Sequence, residues 1–124
     1  MSLMLARAFF QLIVFDLYLA RGTFPALYNK VHRYKINRKR HTEGQIERVC
    51  RAIDIACIWY PKRALCLQRS AATTCLLRSY GVPAQMVIGT QKLPFKAHAW
   101  VEVDDKVVND KSYTSEMYVV LDRC

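Results

Sequence analysis

At 124 residues the chain is close to the length of one domain, which makes a two-domain enzyme a poor fit. With 52% hydrophobic and 23% charged residues and only four Gly and four Pro, it falls outside the disordered, collagenous and low-complexity classes. Nineteen Lys and Arg against ten Asp and Glu give a net charge of +9, but the excess is uneven: residues 1 to 65 hold twelve bases and four acids, residues 66 to 124 seven and six.

The first predicted element is a helix over Leu3 to Ala20, the longest apolar stretch. Arg7, Gln11 and Asp16 interrupt it, and a charge near mid-bilayer costs about 2.5 to 3.5 kcal/mol on insertion scales, so it reads as a helix docked on the core or on a partner, with contact at a membrane surface left open. Gly22 and Pro25 break it before a short helix from Ala26 to Tyr34. Arg21 to Arg40 contains seven basic residues and no acidic one. The aromatics there are only Phe24, Tyr28 and Tyr34, and no recognition-helix pattern is present, so a docking surface is preferred over a nucleic-acid site. Thr42 and Gln45 have capping-box spacing, and Ile46, Val49, Cys50, Ile53 and Cys57 recur at helical intervals, predicting a helix from Glu43 to Trp59 closed by Pro61.

A third long helix is predicted from Cys66 to Ser79, ended by Gly81 as left-handed cap and by Pro83. The period then changes to that of strands: Ala84 to Gly89, Ala97 to Asp104, Lys106 to Asp110, with Tyr118 to Leu121 as a fourth. Helices followed by strands predict an α+β domain with a small antiparallel sheet. Residues 1 to 42 form a helical, basic docking segment and 43 to 124 the core, the two making one compact domain.

Five cysteines, an odd number without C-x-x-C spacing, argue against a disulfide framework or a zinc ribbon and fit reduced thiols in the cytoplasm; no metal or cofactor is expected. Cys50 and Cys57 share an apolar helical stripe and read as core. Cys66 opens a helix, where unpaired amides and the dipole stabilise a thiolate, and is the candidate nucleophile. In the strand Ala97 to Asp104, period two puts His98, Trp100, Glu102 and Asp104 on the face opposite Val101 and Val103. His98 is the candidate base. Its carboxylate partner is Asp110 if the chain reverses near Asp104 and Asp105 through a three-residue turn; a two-residue turn reverses the face, and Glu102 is the weaker substitute.

Cys66-Leu67-Gln68-Arg69-Ser70, the run from Leu76 to Ala84, Val87-Ile88-Gly89, and Ala97-His98-Ala99-Trp100-Val101-Glu102-Val103 ending at Asp110 resemble the lasso-peptide leader peptidases, transglutaminase-like (papain-like) cysteine proteases of bacterial lasso-peptide biosynthesis. The resemblance covers about residues 43 to 112. It implies a Cys66-His98-Asp110 triad that hydrolyses the amide between leader and core of a ribosomally made precursor. It implies as partners the precursor leader, a small winged-helix leader-recognition protein acting in trans, since no room for it precedes the Cys66 motif, and an ATP-dependent macrolactam synthetase. Gln68, Arg69 and Trp100 are candidates for substrate or oxyanion contacts, with Arg69 alternatively pairing with an acid of the sheet. Arg38, Lys39 and Arg40 are candidates for partner docking. Competing readings are another transglutaminase-like acyl transfer, crosslinking or deamidation, and a non-enzymatic basic binding module.

Overall fold

The computed structural model describes residues 2–37, 44–60, 66–92, 95–110 and 114–124. Five helices and four strands follow in the order α1 (Ser2–Arg21), α2 (Phe24–Arg33), α3 (Gln45–Trp59), α4 (Cys66–Ser79), β1 (Ala84–Lys92), β2 (Phe95–Val103), β3 (Lys106–Val107), α5 (Thr114–Met117) and β4 (Val119–Arg123). The architecture is α+β, with a four-stranded sheet in the order β3-β2-β1-β4 whose described pairings are all antiparallel.

The helical layer follows from apolar spacing. Met4, Ala8, Leu12 and Phe15 line one face of α1 and are buried, while Leu3, Phe10, Ile13 and Leu17 are exposed. By length and composition alone α1 is also apolar enough to cross a membrane. Leu27 and Val31 anchor α2, and Val49, Ala52, Ile53 and Ala56 anchor α3. Helix α3 starts two residues later than the capping-box spacing predicts: its N-cap is Gly44, with φ of 78° and no side-chain cap, while Thr42, Glu43 and Pro61 lie outside the described residues.

Helix α4 is the centre of the molecule. Eleven of its fourteen residues are buried, and it packs against α1, α3 and both long strands, so small residues such as Ala71, Ala72 and Thr73 suit it better than a single apolar stripe. It ends as predicted. Gly81, at φ of 89°, lets Gly81 N–H reach the Arg78 carbonyl at 3.0 Å and Val82 N–H the Leu77 carbonyl at 3.0 Å, a Schellman cap that only a residue tolerant of positive φ closes without strain. Buried Arg78 donates to the carbonyls of Ala84 (2.9 Å), Val31 (2.5 Å) and Tyr34 (3.2 Å), tying the end of α4 to the start of β1 and the last turn of α2.

Met86 pairs with Val101 and Ala84 with Val103, and these four face the helices; Gly89, Val87 and Gln85 pair with His98, Trp100 and Glu102 on the opposite face. Two expectations need correction. The strand predicted over Lys106 to Asp110 is reduced to Lys106–Val107, because only Glu102↔Val107 and Val103↔Lys106 pair. The β2–β3 reversal uses two residues, Asp104 and Asp105, both at positive φ (51° and 63°), as a hairpin twisted to match its strands requires.

Candidate active site

Cys66 begins α4, so its backbone N–H is among those without an intrahelical partner. The first turn of α4 abuts the edge of β2 that β3 leaves open. There Ser70 Oγ donates to the Ala99 carbonyl at 3.0 Å, Asn109 Nδ2 donates to Ser70 Oγ at 3.3 Å, and Val101 N–H donates to Asn109 Oδ1 at 2.8 Å. The side chains of Ser70 and Asn109 thus occupy backbone positions that a longer β3 would have filled.

This substitution brings Asp110 to His98. Continued pairing after a two-residue turn would set Asp110 opposite Ala99, on the wrong face. Instead the ladder stops, Val108 N–H still reaches the Val101 carbonyl at 3.0 Å, Asn109 bonds through its side chain, and the backbone departs so that Asp110 Oδ2 lies 2.5 Å from His98 Nε2. A carboxylate can only accept, so this contact puts a proton on Nε2 and leaves Nδ1 as the remaining ring nitrogen. Cys66, Arg69, Ser70, His98, Ala99, Asn109 and Asp110 line one cleft of about 330 Å³. Cys66 comes from the first turn of α4 and His98 from the face of the sheet opposite the helices, and both line the cleft beside the open edge of β2.

His98 is packed as well as hydrogen-bonded. Its ring packs against both Tyr118, with centroids 5.3 Å apart, and Trp100, at 6.0 Å; Tyr118 and Trp100 are 5.8 Å apart, so the three rings form a triangle. Gly89 makes this possible, since a Cβ there would lie 2.7 Å from Trp100 Cη2 and 2.9 Å from Tyr118 Cβ. Sequence patterning gave no sign of Tyr118, Asn109 or Gly89 in this role. Tyr118, expected to open the fourth strand, instead lies just ahead of β4.

The remaining candidates separate from the cleft. Trp100 is fully buried, donates its indole N–H to Glu102 at 2.9 Å, and does not line the cleft. Glu102, the alternative orienting acid, is committed to Trp100 and to Arg123 (3.3 Å). Arg69 lines the cleft, and its acid is Asp54 of α3 rather than an acid of the sheet. Gln68 is buried away from the cleft lining. Arg38, Lys39 and Arg40 lie outside the described residues. Burial pushes Cys50 and Cys124 up to about 11, Cys75 up to about 12, and Cys57 upward, which keeps these four as thiols near neutrality. Among the cysteines, Cys66 is the one in the cleft.

Residues 11–123 match the family model of the transglutaminase-like superfamily. Over 45 residues the chain is 44% identical to the microcin J25-processing protein McjB of Escherichia coli, a match covering 36% of this chain and 22% of that protein, about a fifth of its length. No solved structure matches. A match across nearly the whole chain, joined to an α+β fold with a cysteine at a helix start facing a strand histidine and its carboxylate, assigns the protein: it belongs to the transglutaminase-like superfamily.

Proposed function

We propose that the chain is a cysteine peptidase that removes the leader from a ribosomally made lasso-peptide precursor. The observation that carries this reading is the His98–Asp110 contact in the cleft that also holds Cys66. The name of the Escherichia coli relative, a processing protein for microcin J25, supports the peptide substrate.

The chemistry follows from the three side chains. With Nε2–H held by Asp110, His98 Nδ1 takes the Cys66 thiol proton as sulfur attacks the scissile carbonyl. The negative charge on the carbonyl oxygen falls beside the N–H groups at the start of α4, with the Cys66 amide as one donor. His98 then returns the proton to the departing amine, the C–N bond breaks, and an acyl-enzyme remains on Cys66. A water that gives its proton to His98 hydrolyses this thioester, releasing one carboxylic acid and the free thiol. Asp110 holds the imidazole tautomer throughout and stabilises the imidazolium that forms twice.

The partners fit as substrate and accessories: the leader presented by a winged-helix recognition protein in trans, and the freed core consumed by a macrolactam synthetase. Incubation of the chain with a lasso precursor, with and without that recognition protein, tests the reading by mass spectrometry. Two fragments whose masses sum to precursor plus one water are expected, and Cys66→Ala yields none while retaining its far-UV circular dichroism. A precursor of unchanged backbone but shifted mass assigns the chain to crosslinking or deamidation instead, and cleavage that persists in Cys66→Ala overturns the assignment.

A further inference from the structure

A large cavity lies away from Cys66. It occupies about 1010 Å³ between α1, α2 and the stretch 34–37, and reaches Ser79, the last residue of α4. Four cations line it, Arg7, Lys30, Arg33 and Lys35, and no Asp or Glu is among its described lining residues. Two of these cations are held against aromatic faces instead of acids: Arg7 Cζ lies 4.7 Å from the Tyr80 ring centroid and Lys30 Nζ 5.7 Å from that of Tyr34. Arg7 Nη1 is buried and has no hydrogen-bond partner among the described residues. A buried guanidinium N–H left unpaired carries a desolvation cost and adds to the positive field of a cavity with no acid on its described lining.

We propose that this cavity is an exosite for an acidic segment of the peptide substrate. Of the two tyrosines on the lining, Tyr34 is covered by Lys30 and Tyr18 packs against the buried Phe15, which disfavours base stacking by a single-stranded nucleic acid. The four cations line the walls of a recess rather than a flat surface, which favours the side chains of a flexible peptide over the headgroups of a bilayer. Asn29, also on the lining, has the donor and acceptor groups that an extended backbone uses.

The geometry sets a spacing. Cys66 and Ser79 are the two ends of one helix of 14 residues, so at about 1.5 Å per residue the cavity and the thiol are roughly 20 Å apart. An extended peptide advances about 3.3 Å per residue, so the acidic segment lies at least about six residues from the bond that is cut. The peptide character of the ligand rests on the peptidase reading; the acid-binding cavity stands without it.

Fluorescence anisotropy with labelled hexaglutamate and hexaglutamine peptides, on the full chain, tests the site. The probe hexaglutamate binds at least about tenfold more tightly than hexaglutamine, and Arg33→Glu/Lys35→Glu removes that preference, whereas Arg51→Glu/Lys106→Glu, with the same change of net charge outside the cavity, alters it less than about twofold. Equal losses in the two variants overturn the exosite, as does a larger loss of binding to oligothymidylate or to anionic vesicles than to hexaglutamate. In cleavage assays, Arg33→Glu/Lys35→Glu raises KM at unchanged kcat for a precursor with an acidic segment six or more residues from the cut; unchanged KM overturns the exosite. A chain that binds hexaglutamate in this pattern yet cleaves no precursor retains the cavity site and overturns the peptidase reading.

Discussion

The two ends of α4 are built on opposite rules. At its start, charges are paired with charges and held in a hydrogen-bonded chain: Arg69 pairs with Asp54 and Asp110 with His98, while Ser70 takes the Ala99 carbonyl and Asn109 takes Ser70 and the Val101 amide. At its end, four cations surround a cavity with no acid on its described lining, and one buried guanidinium nitrogen has no acceptor among the described residues. A matched polar network resists change and suits a site that must hold geometry through a reaction. Unmatched charge suits a site that awaits a ligand, because the ligand then supplies what the fold leaves out.

The sharpest way to break the matched end is Asp110→Asn. The amide preserves shape but offers a donor as readily as an acceptor to Nε2, so the tautomer that leaves Nδ1 free is no longer imposed. On the peptidase reading kcat falls about 10²- to 10⁴-fold, with little change in KM or thermal stability. A fall below threefold in single-turnover cleavage shows that Asp110 does not orient His98 during the reaction.

Much of this end was readable in the sequence, for reasons that also explain the failures. Gly81 and Pro83 bound α4 because they act locally, on φ and on a missing N–H. Strand parity put His98 with Trp100 and away from Val101, and the register agrees. Asp110 was reached through the wrong turn. The three-residue geometry that would have kept it on the His98 face does not occur, and it arrives because Asn109 replaces a backbone partner with a side chain, an event without a periodic signature. The basic run was evident as charge, but its cavity needs α1 folded across α2, and Arg7 lies outside the run. The pairing of Arg69 with Asp54 is not legible in the sequence, which offers substrate contact or an acid of the sheet as alternatives, because helix packing angles are not encoded in spacing along one element.

Asn109→Ala probes the same end more gently. It removes hydrogen bonds to Ser70 and Val101 worth roughly 1 kcal/mol each, and it frees the backbone just ahead of Asp110. The expected result is a fall in kcat of about fivefold to tenfold with KM unchanged, and the same direction, smaller, for Ser70→Ala. A role confined to folding would instead lower the unfolding temperature while leaving kcat per folded molecule intact, so measuring both separates positioning from scaffolding.

The last contrast concerns the buried cysteines near the basic end, read in stability and not in turnover. Cys75 and Cys124 lie near Arg78, whose charge favours the thiolates, yet burial outweighs that pull and drives Cys75 up to about 12 and Cys124 to about 11. In the unfolded chain a thiol ionises near 9, so between about 9 and 12 unfolding releases protons that the folded chain retains. Stability is therefore fully present below pH 9 and declines as pH rises through 11 and 12, by an amount on the order of a few kcal/mol. Lysines and tyrosines titrate over the same range, so the comparison is with Cys75→Ala/Cys124→Ala. That variant is less stable at pH 7, having lost buried volume, but its urea midpoint declines less steeply from pH 9 to 11. Parallel declines in the two proteins would place the alkaline sensitivity elsewhere and show that the basic end does hold these sulfurs in an environment where a thiolate is tolerated.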